Sequence, residues 1–375
     1  SVGAAIIISA GFAEVGARGR ALQDEIADIA RTYHIALVGP NCLGIIRPNV
    51  GLNASFAKSR VLPGHVALVG QSGAFCTALL DWGESQGFGF SAVASLGATA
   101  DVGFGEVLDY LALDPHTKSI LLYVEGVSDA RAFLSGLRIA ARLKPVIVVK
   151  SGRSEIGNRA AVSHTGAIVG GDEVFNAAIS RAGAVRVSTA SQLLSAAQIL
   201  AAGTRVDGSR LVILTNGGGP GVMAADRAAE LEVPLAELSQ GTVEKLSAAL
   251  PAHWSHANPV DILGDASPER YRAATEILLA DESVDGLLVL LTPQGMTDPT
   301  ACAEAVLTAV QGSHKAALAC WLGANLVQEG RQRFTAAGIP NFSSPEAGVD
   351  AFGYLAAYRR NQSALLQAPP PLSKN

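Results

Sequence analysis

The chain has 375 residues, is rich in Ala, Gly, Val and Leu, and carries 28 Lys and Arg against 33 Asp and Glu; at roughly 100 to 200 residues per domain, this predicts two or three α/β domains. The nearly balanced charge, without a basic run, argues against a nucleic-acid partner, and no apolar run approaches the roughly 18 residues of a membrane span. The four cysteines form neither a CxxC pair nor a cluster with histidine, which predicts no disulfide framework and a reducing cytoplasm as the setting.

Residues 1–58 have the pattern of the second half of a Rossmann-like domain. A strand is predicted over 4–9, a helix over 18–32 and a strand over 34–38, followed by the loop Gly39-Pro-Asn-Cys-Leu-Gly44. The opening βαβ units of such a domain, with their phosphate-binding turn, are not in this stretch. Because the chain also starts without Met, inside a predicted strand, we expect a piece of a longer protein.

A second domain is predicted over residues 60–203. Its strands alternate with helices of ten or more residues, which predicts parallel pairing with right-handed crossovers. The predicted strands are 65–69, 91–96, 119–124 and 145–150, and the predicted helices are 74–87, 104–113, 129–142, 173–182 and 190–202.

A third domain is predicted over 207–362 and opens like the second, with a strand, a glycine turn and a helix, so the two form a weak internal repeat. Residues 363–375 contain three consecutive prolines and predict a stiff linker or tail. In the third domain the predicted strands are 210–215, 234–237, 285–291 and 316–321, and the predicted helices are 221–231, 241–248, 268–280, 299–311, 325–337 and 345–359.

Two glycine-bearing turns each follow an apolar strand and precede an amphipathic helix. A helix N-terminus has unpaired N–H groups and a partial positive charge, so each turn predicts a phosphate site. For the first turn a simple tight connection is an equally good interpretation, whereas the three adjacent glycines of the second favour a ligand close to the main chain. A dinucleotide fingerprint is a weaker alternative there, because Val222 stands where its third glycine belongs. The predicted phosphate-binding residues are Ser72, Gly73, Ala74, Gly217, Gly218, Gly219 and Gly221.

His164 lies in Ser-His-Thr-Gly, within a loop predicted over 151–172. A single histidine in a loop is more often structural, but beside two anion-binding turns it predicts a phosphohistidine. An imidazole becomes a competent nucleophile when a carboxylate orients its second nitrogen. Glu125 ends a predicted strand, at the edge where parallel sheets bind ligands, and is the predicted orienting group. A solvent-facing glutamate is the alternative.

Three further positions have two interpretations each. Asn258 is predicted either to place a polar group at the active edge of the third domain or to form a structural Asx-type turn. Cys42 lies either near a thiol substrate or in the core as a small hydrophobe. His253 and His256 are three residues apart without further ligands, which favours loop packing over a metal, and no metal site is predicted.

Taken together, seven motifs resemble the NDP-forming acyl-CoA synthetase superfamily, which includes ADP-forming acetate–CoA ligase and succinate–CoA ligase. The resemblance covers nearly the whole chain. It implies an α/β fold in which a partial Rossmann-like CoA-binding domain precedes two flavodoxin-like CoA-ligase domains. The motifs are GPNCLG at 39–44, LVGQSGA at 68–74, YVEG at 123–126, KSGRS at 150–154, SHTGA at 163–167, TNGGGPG at 215–221 and NPVD at 258–261.

The resemblance also implies roles for residues. His164 matches the phosphorylated histidine and Glu125 the carboxylate that orients it. In the family, acyl-CoA and phosphate give an acyl phosphate, the histidine takes the phosphoryl group, and a loop swing delivers it to ADP in an ATP-grasp domain. The residues expected to bind CoA or its acyl group are Gly39, Pro40, Asn41, Cys42 and Asn258.

The ATP-grasp domain is not part of this sequence, so we expect ATP, ADP and Mg²⁺ to act only through a partner domain or subunit. A homo-oligomer is expected by analogy with the family. The segments 250–265 and 291–298 are more similar to the ligase-like part of bacterial protein lysine acetyltransferases. The alternative function is therefore a catalytically silent, acetyl-CoA-binding regulatory region.

Overall fold

The computed structural model describes residues 2–85, 87–159, 171–201 and 203–367. The chain divides into two compact units, the first made of residues 1–201 and 360–375 and the second of residues 202–359. Within the described residues, no helix is both long enough and apolar enough to cross a membrane.

The first unit begins with a small parallel sheet. Strand β1 (Ala4–Ile6) pairs with β2 (Ala36–Val38), and helix α1 (Ala17–Thr32) connects them. Both strands are shorter than predicted. Only three residues of each strand find a partner, so the sheet here is a narrow ribbon.

The main sheet of the first unit has seven strands in the order β4-β3-β6-β5-β7-β8-β9. Its strands are β3 (Gly44–Arg47), β4 (Leu52–Ser55), β5 (Pro63–Gly70), β6 (Phe90–Ser95), β7 (Ser119–Val124), β8 (Val146–Lys150) and β9 (Val185–Val187). The helices are α2 (Gly73–Ser85), α3 (Phe104–Leu113), α4 (Ala130–Leu143), α5 (Asp172–Arg181) and α6 (Ala190–Ala201).

The five strands β6-β5-β7-β8-β9 are all parallel. Numbered along the chain their order is 2-1-3-4-5, which is the flavodoxin-like arrangement. The parallel pairing predicted for the strands of residues 60–203 is confirmed, and residues 44–55, which the sequence analysis assigned to the preceding domain, add the antiparallel hairpin β3-β4 at one edge. Each of these strands has four residues, too few for a clear alternation, and their turn is closed by Gly51 in the left-handed region (φ 71°).

Close approach of small residues explains how helices cover this sheet. A Cβ atom on Gly136 of α4 would lie 2.7 Å from the carbonyl oxygen of Gly105 in α3, so only glycine permits this packing. Asp129 starts α4 by accepting the Ala132 N–H at 2.9 Å. Between these helices and the sheet lies a continuous apolar core in which β7, β8 and residues 66–70 of β5 are almost fully buried.

The second unit has a five-stranded parallel sheet in the order β11-β10-β12-β13-β14, again flavodoxin-like. Its strands are β10 (Leu211–Thr215), β11 (Val260–Asp261), β12 (Gly286–Leu291), β13 (Ala316–Trp321) and β14 (Asn341–Phe342). The helices are α7 (Gly218–Glu230), α8 (Gln240–Ala249), α9 (Pro268–Leu279), α10 (Pro299–Val310), α11 (Gln328–Ala336) and α12 (Pro345–Leu366).

Two predictions for this part of the chain are wrong. The strand expected over 234–237 is reduced to a single bridge between Leu235 and Leu211. The last helix continues to Leu366 rather than ending at 359. In the first unit, Gln362 donates to the carbonyl of Gly183 at 3.0 Å and Leu365 is buried, which holds this stretch in helical form instead of a tail starting at 363.

Candidate active site

The strand order of the first unit marks one crevice at its carboxyl edge, the edge at which the parallel strands end. The order reverses between β5 and β7, and open α/β sheets bind ligands at such a point. Gln71 directly follows β5, and its side-chain oxygen accepts the N–H groups of Glu125 at 2.7 Å and Gly126 at 3.1 Å. The Gln71 carboxamide therefore fixes the main chain of the residue predicted to orient the histidine.

The Glu125 carboxylate contributes to raised pKa values of two side chains, Cys76 in α2 and Tyr123, which packs against that helix. The pKa of the Cys76 thiol in α2 is raised to about 12, first by burial and then by the Glu125 carboxylate. Burial also raises the pKa of Tyr123, and Glu125 adds to that rise. The Tyr123 ring stacks on Phe75 of the same helix, with centroids 4.1 Å apart. Through Gln71, the main chain of Glu125 is thus tied to a residue two positions before α2 begins.

The turn that begins α2 is capped by Ser72. Its hydroxyl accepts the Phe75 N–H at 3.3 Å, and its carbonyl accepts the Cys76 N–H at 3.1 Å. The N–H groups of Gly73 and Ala74 belong to the first turn of the helix, where no acceptor exists within the helix itself. Two of the three residues predicted to bind phosphate here thus offer main-chain donors, and Ser72 orders the turn.

The loop over residues 39–44 lies against this same turn. The Leu43 N–H donates to Ser95 at 3.0 Å, and a Cβ on Gly73 would be 3.5 Å from the nitrogen of Leu43. The carbonyls of Gly39 and Pro40 accept N–H groups from residues 98–100. The predicted CoA loop and the first predicted phosphate turn are therefore neighbours at the carboxyl edge.

Within this loop the side chains differ in what they can reach. Cys42 is 2% exposed, its thiol donates to the Ile7 carbonyl at 3.3 Å, and burial raises its pKa. The Cys42 side chain is therefore packed in the core, and a contact of this residue with CoA stays a prediction. Gly39 and Pro40 are buried as well, whereas Asn41 is exposed. Asn41 is the loop residue whose side chain a ligand can contact.

A pocket of about 110 Å³ opens beside Gln71, between the loops that follow β6 and β7. Three carboxylates line it, and each accepts a main-chain N–H: Asp101 from Leu37, Glu106 from Gly103, and Asp129 from Ala132. The acids of this pocket thus have structural tasks. No metal-binding cluster of His, Cys, Asp and Glu occurs in the described part of the chain.

His164 lies outside the described residues, within the gap 160–170. The structure describes both approaches to it. Residues 155–159 are helical, inside the stretch predicted as a loop, and α5 begins at Asp172. That the His164 imidazole lies close to Glu125 therefore stays a prediction.

The second unit repeats the arrangement of Gln71. Asn216 directly follows β10 and binds the residue after β12: its side-chain oxygen accepts the Thr292 N–H at 2.8 Å, and its side-chain nitrogen donates to the Thr292 carbonyl at 3.0 Å. In both units a carboxamide therefore links the end of the first strand to the loop after the third. Sequence analysis did not predict this role for either residue, because their partners lie 54 and 76 residues away.

The glycines at the start of α7 fall into two groups. A Cβ on Gly217 would lie 3.0 Å from the Thr292 hydroxyl, and one on Gly221 would lie 3.0 Å from Thr215. Gly221 also donates its N–H to the Gly217 carbonyl, so this N–H already has an acceptor; binding of phosphate by Gly221 stays a prediction. Gly219 faces open space, and no side chain caps this helix.

One carboxylate stands beside this helix start. A Cβ on Gly218 would lie 3.3 Å from one oxygen of Asp261, whose other oxygen accepts the Leu263 N–H at 2.9 Å. The positive end of α7 thus already has a negative neighbour, which weakens its attraction for a phosphate.

The side chain of Asn258 is bound to main-chain groups of the second unit, and its role as a substrate-binding residue stays a prediction. Its side-chain nitrogen donates to the carbonyls of Leu211 at 2.9 Å and Ala236 at 3.0 Å, and its oxygen accepts the Ile213 N–H at 3.0 Å. Both of its N–H donors are used.

His256 packs against Trp254 with ring centroids 4.6 Å apart, as expected for a loop-packing residue.

Known proteins share both units. Residues 63–200 match the family model described as succinyl-CoA ligase like flavodoxin domain, and residues 211–366 match the Ligase-CoA domain. The ADP-forming acetate–CoA ligase I of Archaeoglobus fulgidus is 42% identical, over 95% of this chain and 51% of that protein. The alpha subunit of ADP-forming acetate–CoA ligase I from Pyrococcus furiosus is 35% identical, over 93% of this chain and 76% of the subunit.

A solved structure is similar over almost the whole chain. The dinucleotide forming acetyl-coenzyme A synthetase 1 of Ca. Korarchaeum cryptofilum, in complex with phosphate and ADP, superposes with a TM-score of 0.86 at 31% identity, covering 98% of this chain and 80% of that one. The chain spans about half the length of the Archaeoglobus ligase. The acetyltransferase alternative gains no support from these relatives. The chain belongs to the NDP-forming acyl-CoA synthetases, a family of acid–thiol ligases that includes the ADP-forming acetate–CoA ligases.

Proposed function

We propose that this chain is the acyl-CoA and phosphohistidine part of an ADP-forming acyl-CoA synthetase that acts on acetate or another short acid. The observation that carries the proposal is the position of Glu125, held by Gln71 at the switch point of a flavodoxin-like sheet and next to the start of α2. A carboxylate at that point suits a neighbouring imidazole that must become positively charged.

The reaction has three transfers. A phosphate oxygen attacks the thioester carbonyl of acyl-CoA, the C–S bond breaks, and CoA leaves as the thiol. One ring nitrogen of His164 then attacks phosphorus, the P–O bond to the acid breaks, and the carboxylate leaves. Finally the phosphoryl group passes from His164 to ADP, which forms ATP. Glu125 holds the second ring nitrogen and stabilises the cationic ring during the second step.

Main-chain donors at helix starts hold phosphate in this proposal. Gly73 and Ala74 at the start of α2, ordered by Ser72, hold it near Glu125. Gly218 and Gly219 at the start of α7 form a separate candidate phosphate site within the second unit, and Gly217 shapes that turn. Asn41 in the neighbouring loop contacts CoA.

Several partners follow from this assignment. ATP, ADP and Mg²⁺ bind to an ATP-grasp domain or subunit, where the metal neutralises nucleotide phosphates. All four cysteines are free and buried, which supports the cytoplasm as the setting. By analogy with the family we also propose a homo-oligomer. The domain limits we propose are 1–58, 60–203 and 207–362, with the hairpin β3-β4 of the first of these ranges extending the sheet of the second.

The test supplies the chain, together with its ATP-grasp partner, with acetyl-CoA and radiolabelled phosphate. The expected result is acid-labile, base-stable label on the wild-type chain and none on His164→Asn, a variant of similar shape. Wild-type chain that stays unlabelled while acetyl-CoA binds would overturn the proposal.

A further inference from the structure

A buried lysine ends strand β8. This strand leads into the stretch between Gly152 and Asp172 that contains His164, here called the histidine segment. Lys150 is 4% exposed, and its ammonium donates to the carbonyls of Ser151 at 3.1 Å and Gly152 at 3.4 Å. No carboxylate of the described chain lies within salt-bridge distance of it. An ammonium group in the interior without an anion is costly. A strand can end without such a charge, so packing alone does not explain Lys150.

A second cation holds the other end of the same segment. Arg186 of β9 pairs with the Asp172 carboxylate at 2.5 Å and also donates to the Asp172 carbonyl at 3.1 Å. Asp172 is the first residue of α5. Lys150 thus binds the main chain where the histidine segment begins, and Arg186 binds the main chain where it ends.

One aromatic ring joins the two cations. The Lys150 ammonium lies 5.6 Å from the centroid of Phe175, and the Arg186 guanidinium lies 5.5 Å from it. Both distances are in the range of cation–π attraction. Phe133 of α4 stacks nearly parallel to Phe175, with centroids 6.4 Å apart, and so fixes the ring. Two cations share one carboxylate here, which leaves one positive charge uncompensated among the described groups.

We propose that Lys150, Arg186 and Phe175 form a cation clamp whose task is to position the segment between Gly152 and Asp172, so that His164 meets the phosphoryl group. This inference rests on the proposed function. The clamp residues are positioning residues: they hold both ends of the segment to the carboxyl edge of the first unit. In this proposal the role of the Lys150 ammonium is to orient the peptide groups of Ser151 and Gly152 through its two hydrogen bonds.

Lys144 offers a matched control. It lies in the same unit, and its ammonium also donates to two main-chain carbonyls, those of Leu111 and Asp114, each at 2.6 Å. Burial lowers the pKa of both lysines. Lys144, however, ties down the end of α3 and not the histidine segment. Lys150→Met and Lys144→Met therefore remove the same kind of bond from different places.

The first measurement is the overall rate and the rate of His164 labelling, with the full chain and its ATP-grasp partner. A displacement of roughly 1 Å at a reacting group costs about 10²-fold in rate. Lys150→Met is expected to lower kcat and the labelling rate by about that factor, with KM for acetyl-CoA changed less than about twofold. Lys150→Arg, which keeps the charge, is expected to recover most of the loss, and Lys144→Met to label at the wild-type rate.

The second measurement is amide hydrogen exchange of the chain, which does not depend on catalysis. In Lys150→Met we expect faster exchange at residues 151–158 and also at 172–175, because the shared ring couples the two ends. Lys144→Met should leave both stretches unchanged. Equal labelling rates in Lys150→Met and wild type, or unchanged exchange at 172–175, would overturn the clamp. If the wild type itself is not labelled, the proposed function fails, and the exchange result still decides the coupling.

Discussion

The two units use the same sheet order but equip their carboxyl edges differently. In the first, the Gln71 carboxamide binds two N–H groups of the loop after β7 and so presents a carboxylate, Glu125. In the second, the Asn216 side chain accepts the Thr292 N–H and donates to the Thr292 carbonyl. Helix α7 begins beside it with glycines that no side chain caps. Both edges therefore combine a carboxylate with main-chain donors, but only at the first edge does the carboxamide bind the main chain of the acidic residue, Glu125. At the second edge the carboxylate is Asp261, which lies beside the start of α7.

The largest expected effect comes from neutralising the acidic residue at the first edge, compared with neutralising the one at the second. Glu125→Gln keeps the shape of the side chain but removes the charge that orients an imidazole, and we expect His164 labelling to slow by about 10³- to 10⁴-fold. Asp261→Asn, at the edge of the second unit, is the matched control and should not slow labelling. Equal loss in both variants would contradict the division of roles.

The two carboxamides provide the next comparison. Gln71→Leu and Asn216→Leu each leave main-chain N–H groups without their acceptor, which should lower the free energy of unfolding by about 1–3 kcal/mol. Chemical denaturation measures this cost. Only Gln71→Leu should also slow His164 labelling, because it releases the main chain of Glu125. A loss of labelling in Asn216→Leu alone would reverse the assignment.

Asn258 tests whether a residue of the second edge is structural. Asn258→Ala removes three hydrogen bonds to main-chain groups and should lower the free energy of unfolding by about 2–4 kcal/mol. The KM for acetyl-CoA should stay within about twofold of wild type, allowing for the scatter of such comparisons. A higher KM with unchanged thermal stability would instead identify Asn258 as a substrate contact.

The smallest expected effect concerns the carboxylate beside α7. Asp261→Asn removes a negative charge from the start of that helix, which is worth about 0.3–1 kcal/mol, or roughly 2- to 5-fold tighter phosphate binding. Calorimetric titration of the chain with phosphate measures it. Unchanged or weaker binding would show that α7 does not hold the anion.

Long elements with strong patterns were predictable from the sequence. The strands β7 and β13 match their predicted bounds residue for residue, because each is a run of six apolar or small residues of which all but the half-buried Tyr123 are buried. The strands β11 and β14 have two residues each, so no pattern could reveal them. The hairpin β3-β4 was missed for a similar reason: its register depends on β6, about 50 residues away.

The candidate site divides in the same way. The position of Glu125 directly after β7 was predictable from the apolar run before it, and the two turns were predictable from their glycines; the catalytic and phosphate-binding roles stay predictions. The role of Gln71 was not predictable, since it depends on a partner loop that only the folded sheet brings near. For Cys42 and Asn258 the sequence left two interpretations open. Their side chains bond to main-chain groups of distant residues, which only the folded chain brings near, and their roles in binding stay predictions.

The central claim is that one imidazole, at position 164, carries the phosphoryl group beside Glu125. Peptide mapping of the chain after reaction with radiolabelled acetyl phosphate tests it most directly, because this donor bypasses CoA and the ATP-grasp partner. We predict one acid-labile phosphate on the peptide that contains His164, and almost none in Glu125→Gln over the same time. Label on another residue, or equal labelling of the two proteins, would contradict the account.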